Sequence, residues 1–125
     1  MNTPNISALA ETHREWARWF VSLVGQAREG HAPTPGEESF VEDEHQCALG
    51  KVLDSGEVAF AGQFSLHSVR VLHGTFHRIA GLILQAVRNG APRAEVVEYQ
   101  AELARVSAQL TAVLNSATYT GGGVK

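Results

Sequence analysis

Residues 66–87 read LHSVRVLHGTFHRIAGLILQAV. Within this stretch Leu66, Val69, His73, Phe76, Ala80, Ile83 and Val87 recur at spacings of three and four. That is the period of one helical face, a seam suited to burial against other helices. The spacing predicts one long helix over Ala61 to Asn89, with His77 and Leu84 flanking the seam. Gly74 and Gly81 fall inside it. Each costs about 1 kcal/mol relative to alanine, and close approach of another backbone beside the histidines would account for that cost.

On the C-terminal side, Asn89-Gly90-Ala91-Pro92 reads as a tight helix–helix turn, glycine ending one helix and proline opening the next. The last helix is expected from Pro92 to Ala117, with a seam of Val96, Tyr99, Leu103, Val106, Leu110, Val113 and Ala117. The tail 118–125, with three consecutive glycines, reads as flexible. On the N-terminal side, Asn5 or Ser7 is a candidate N-cap for a helix reaching Arg28. Its seam is Leu9, His13, Trp16, Phe20, Leu23 and Ala27, and Gly30 ends it. Residues 30–36 read as a loop, and the acidic run Glu37 to Glu44 as a solvated segment. That run leads into a short helix over His45 to Asp54, with Cys47 in or just after its first turn and Gly56 as its stop. No alternating strand pattern occurs. The expected fold is therefore all-α: one domain with its core over about 6–117, built as an antiparallel four-helix bundle with the short cysteine-bearing helix as one member.

The net charge of −3 and the lack of any basic run argue against a nucleic-acid partner. A single cysteine forms no intrachain disulfide and suits a reducing cytoplasm. The N-terminus carries no signal-peptide pattern, and no stretch of about 18 apolar residues marks a membrane span.

Chemistry enters with the histidines. His73 and His77 lie one turn apart, about 40° around the helix axis, so both imidazoles reach one ion. His13 takes a seam position where leucine would be ordinary, and Cys47 is the lone thiol. Taken singly, each has a plain explanation: core or surface histidines for the pair, a satisfied core histidine for His13, a small buried hydrophobe for Cys47. One ion accounts for all four together. His13, Cys47, His73 and His77 supply three nitrogens and one sulfur, the donor set of a tetrahedral zinc site. One thiolate against a dication leaves a net +1. His31 and His45 read as solvated, His45 being near enough to Cys47 to compete as a ligand, and His67 reads as outside the site.

The motifs around these residues resemble the chemoreceptor zinc-binding (CZB) domain family. That family shows an early histidine followed three residues later by tryptophan, here His13-Arg14-Glu15-Trp16. It shows a C-x-[LF]-G-x-W motif, here Cys47-Ala48-Leu49-Gly50-Lys51-Val52, with valine where tryptophan is usual. It shows an H-x-x-x-H pair in the next long helix, here His73 to His77. The resemblance spans about residues 9–115. It implies a four-helix bundle, often dimeric, in bacterial cytoplasmic signalling proteins, sensing zinc or oxidants through the zinc-bound cysteine.

The leading expectation is thus a regulatory zinc switch with Zn2+ as cofactor, Cys47 as the labile ligand, a homodimer as an expected assembly and a separate signalling partner that the sequence does not name. An alternative is a structural dimerisation module stabilised by zinc, with Trp19, Val97 and Tyr99 adding apolar surface. A hydrolytic site of three histidines would require Cys47 not to ligate, and no general base stands beside the histidines. A di-iron site would need inward glutamates, and the helix seams carry none. No enzymatic activity is expected.

Overall fold

The computed structural model describes the backbone of residues 6–55 and 63–122. Asn5, Gly56, Ala61 and residues 123–125 lie outside the described residues, as do the side chains of Ser7, Leu9, Val52, Leu66 and Ala117. The described chain is all helical: α1 (Ile6–Arg28), α2 (Pro35–Glu42), α3 (Ala48–Ser55), α4 (Gln63–Arg88) and α5 (Arg93–Gly122).

The long helices follow their seams. His13, Trp16, Phe20 and Leu23 of α1 are buried, as are Val69, His73, Phe76, Ala80 and Ile83 of α4, with His77 and Leu84 beside them. In α5, Val96, Val106 and Leu110 are buried, while Tyr99, Leu103 and Val113 are partly covered. α4 packs closely on α5, and α1 packs on both. Of the three expected glycine stops, Gly56 lies outside the described residues and the other two form. Gly30 and Gly90 adopt left-handed φ of 95° and 72°. At each, the next amide reaches back to the helix: His31 N–H to Gln26 O and Ala91 N–H to Ala86 O, both 2.9 Å. With Gly30 N–H to Ala27 O and Gly90 N–H to Val87 O, both 3.1 Å, each end carries the paired bonds of a Schellman C-cap.

Three boundaries differ from the sequence expectation. The acidic segment is not simply solvated chain: residues 35–42 form α2, whose Val41 is fully buried. Thr34 caps it through Oγ1, which accepts from Glu37 N–H, and the Glu37 carboxylate accepts from Thr34 N–H. This reciprocal capping box, with Pro35 in the first turn, offsets the brevity of the helix. The cysteine-bearing helix starts at Ala48 rather than His45. Asp43 diverts the chain first: its carboxylate accepts from His45 N–H at 2.9 Å and its carbonyl from Gln46 N–H at 3.2 Å, which makes residues 43–46 a turn. Finally, α5 extends past Ala117 to Gly122, a stretch with no proline to remove a helical amide.

The short helices are seated on the long ones. α2 lies on α4, with Arg88 Nη1 2.5 Å from Glu38 Oε2 at the end of α4. α3 lies on α1 and buries Leu49 and Leu53. Arg70 of α4 donates from Nη2 to Leu53 O at 3.1 Å, capping an open carbonyl of α3. No helix among the described residues is long and apolar enough to cross a membrane.

Candidate metal centre

His13, on α1, and His73 and His77, on α4, converge with Cys47, the residue immediately before α3. One potential ligand atom from each lies within 4.8 Å of all the others, and all four side chains are buried. Cys47 Sγ and His73 Nε2 stand 3.1 Å apart. Zinc bonds of about 2.0–2.3 Å set tetrahedral donors about 3.4–3.7 Å apart. The 3.1 Å pair is slightly tighter than this and the 4.8 Å limit slightly wider, so small side-chain adjustments bring the cluster to that size.

Local structure explains each position. The alternating seams of α1 and α4 bring His13 and the His73–His77 pair to the shared interior. Cys47 takes the N-cap position of α3, and Gly50 N–H, in the third residue of that helix, points at Sγ at 3.4 Å. Amides at a helix N-terminus favour negative charge, so they offset part of the cost of burying a thiolate here. His77 Nδ1–H donates to Val41 O of α2 at 2.9 Å. With that proton committed, Nε2 carries the lone pair and faces the cluster. A second bond of this kind orients a metal-ligating histidine.

The electrostatics keep the imidazoles in the neutral form that can ligate a metal ion. Burial lowers His13 to a pKa of about 3 and His73 to about 2, with further lowering from the neighbouring imidazoles. Burial also lowers His77, opposed by its bond to Val41 O and by the charges of Glu44 and Asp43. All three rings are neutral at physiological pH, so each has a nitrogen lone pair to offer a metal ion. Burial raises the Cys47 thiol, against the pull of the α3 amides. Aromatic groups wall the site: Phe76 stands 4.7 Å from His13 and Trp16 4.7 Å from His77, by ring centroid.

The strongest sign of a ligand is what the protein leaves unsatisfied. His13 Nε2 and His77 Nε2 are buried with no hydrogen-bond partner. A buried polar atom without a partner costs about 1–3 kcal/mol, and two beside a thiol is an arrangement that a bound metal ion relieves. The donor set and the orphaned nitrogens fit such an ion.

All four residues singled out from sequence are thus brought together. His45 is not among them. It is exposed, and its Nδ1 lies 2.7 Å from Asp54 Oδ2, which raises its pKa. His31 and His67 are exposed. Sequence reasoning missed the contribution of α2 through Val41 O, although Thr34-Pro35-Gly36-Glu37 carries the capping-box signature that announces the helix. The expectation for the two α4 glycines needs correcting. A side chain, not a backbone, lies over each: the Glu44 carboxylate over Gly74 and the Glu42 side chain over Gly81. The glycine demanded by backbone approach is Gly50, where an added Cβ would stand 1.8 Å from Glu44 O.

Comparison with family models, with curated proteins and with solved structures finds no match to this chain.

Proposed function

We propose that the chain is a zinc-binding regulatory domain in which His13, Cys47, His73 and His77 hold one Zn2+ and Cys47 is the ligand that responds. The observation that carries this reading is the buried cluster itself, with two imidazole nitrogens lacking any protein partner. Three imidazoles and a thiolate match zinc better than the hard cations, which favour oxygen donors. A bound zinc ion supplies the charge that keeps Cys47 deprotonated and ties α3 to α1 and α4.

The four ligands are not equally anchored. The three histidines belong to helices of 23 and 26 residues, and Cys47 to the turn before a helix of 8. Loss of the sulfur ligand, by metal removal or by oxidation of the thiol, frees α3 with the least disruption elsewhere. The likeness of the three motifs to the CZB family supports a role in bacterial cytoplasmic signalling, as a four-helix bundle that dimerises and passes its state to a separate protein.

A purely structural zinc site is the second reading. It is favoured by the deep burial of every ligand, none more than 5% exposed. Titration of Zn2+ into the wild type and Cys47→Ala, followed by circular dichroism and metal content, tests the proposal. The expected result is one zinc per chain, with a loss in the variant beyond the roughly 10–100-fold that an outer-shell partner is worth. Unchanged affinity and helix packing in Cys47→Ala would refute the switch. Zinc that exchanges only over many hours would favour the structural role.

A further inference from the structure

A buried centre needs a way in for its ion, and two openings reach it. A groove of about 600 Å³ along α4 runs past Glu42, Glu44, Gly74 and Gly81 to His77. A smaller one of about 230 Å³ passes Glu44, His45 and Asp54 to His73. Glu44 lines both, the only carboxylate to do so. Its side chain lies on α4 where Gly74 has none, between the two ligating histidines in sequence, and a Cβ there would meet Oε1 at 2.8 Å. No hydrogen bond or ion pair holds this carboxylate among the described residues. His77 lines the larger groove, is 1% exposed, and its Nε2 has no partner.

Two cations share these walls. Arg70 is committed to Leu53 O, and Arg78 lies on the exposed side of α4. The charges that act on His77 are those of Glu44 and Asp43, not either arginine.

Resting on the zinc reading above, we infer that Glu44 is an auxiliary metal ligand at the mouth of the centre, taking the divalent ion from solvent and passing it to His77 before Cys47 closes the set. A carboxylate is a hard, weak ligand for zinc beside imidazole and thiolate, so the ion does not stay on it. Its role is in the rate of exchange and not in the final coordination. Gly74 is the seat that lets the carboxylate lie beside the histidines.

The test is stopped-flow uptake of Co2+ by the full chain at low salt, read by the sulfur-to-cobalt charge-transfer band, with release driven by a chelator. Glu44→Gln removes the charge. Gly74→Ala keeps the charge but displaces the carboxylate, the group its Cβ meets. Glu98→Gln, on α5 away from both openings, controls for net charge. The expected result is that Glu44→Gln and Gly74→Ala each slow uptake and release about tenfold, with Kd held within about threefold, while Glu98→Gln behaves as wild type. Wild-type rates in either groove variant overturn the inference; slowing in Glu44→Gln alone does so by leaving only a through-space charge effect. A Kd weakened together with faster release overturns it too, since Glu44 would then be a resident ligand. A wild-type chain that shows no charge-transfer band with Co2+ sinks the metal centre itself, and this role with it.

Discussion

The amide of Gly50 points at the sulfur of Cys47 from 3.4 Å, and the same glycine lies under the carbonyl of Glu44 so closely that no side chain fits between them. One residue therefore holds the turn that delivers the thiol and supplies part of the field that favours its anion. Gly50→Ala would place Cβ 1.8 Å from a backbone oxygen, a clash that only movement of the chain relieves. The expected outcome is a loss of about 1–3 kcal/mol of stability together with weaker metal binding, because Cys47 moves with the turn. Urea denaturation and a zinc titration on the same preparation check it. Unchanged metal affinity would show that the turn does not position the thiol.

The metal-free chain is expected to be acid-sensitive. The unfolded chain protonates its histidines near pH 6.5, whereas burial holds folded His13 at about 3, His73 at about 2, and lowers His77. Lowered values mean that the unfolded state binds more protons once the pH drops below 6.5. Stability is therefore full above that value and declines as the pH falls toward the folded values, by up to about 1.4 kcal/mol per pH unit for each histidine. The urea midpoint of the metal-free chain at pH 5.5 should fall clearly below that at pH 7.5. A flat midpoint would count against buried neutral imidazoles.

Metal binding should release a proton from sulfur and almost none from the histidines. Burial raises Cys47, so the thiol is protonated at neutral pH in the metal-free chain, while the three rings are already neutral. Binding then displaces about one proton per ion, and affinity rises about tenfold per pH unit between pH 7 and 8. Calorimetry in buffers of different ionisation enthalpy counts the proton. In Cys47→Ala the count should approach zero.

α2 is tied to the centre by one bond, from His77 Nδ1–H to Val41 O, and α2 in turn depends on its cap. Thr34→Ala removes the oxygen that accepts from Glu37 N–H and should cost about 1 kcal/mol. Because the loosened helix carries Val41, metal affinity should fall modestly as well, by up to about tenfold. A variant that loses stability yet binds zinc as wild type does would show that α2 does not orient His77.

The long helices and the four ligands were legible in sequence because both rest on period. Seams of three and four along α1, α4 and α5 name the buried positions, and histidines on two of those seams stand out where leucine is ordinary. The short elements were not legible in that way. α2 spans 8 residues and buries only Val41, too little for a period to appear through its glutamates. Asp43 ends that helix and turns the chain with the same carboxylate chemistry that suits a helix start, so the acidic run misplaced the beginning of α3. Glu44 escaped notice because it reaches α4 from a connection and not from a seam. The glycines of α4 were visible, but what lay over them depended on that connection.

Gly81 separates helix propensity from the needs of the site. An added Cβ there meets only the Glu42 side chain, its Cγ at 3.1 Å, and that chain can swing aside into the open groove. Nothing about the backbone demands glycine: Gly81 is mid-helix and absent from the left-handed φ positions. Gly81→Ala should therefore stabilise the metal-free chain, by up to about 1 kcal/mol, while zinc affinity stays as in the wild type because no ligand or partner of a ligand is touched. Thermal melts with and without zinc make the comparison. A raised melting temperature in both states, with the zinc-induced increment unchanged, is the expected result. If instead the increment shrinks, the Glu42 side chain contributes to the centre and the acidic track along α4 extends a full two turns.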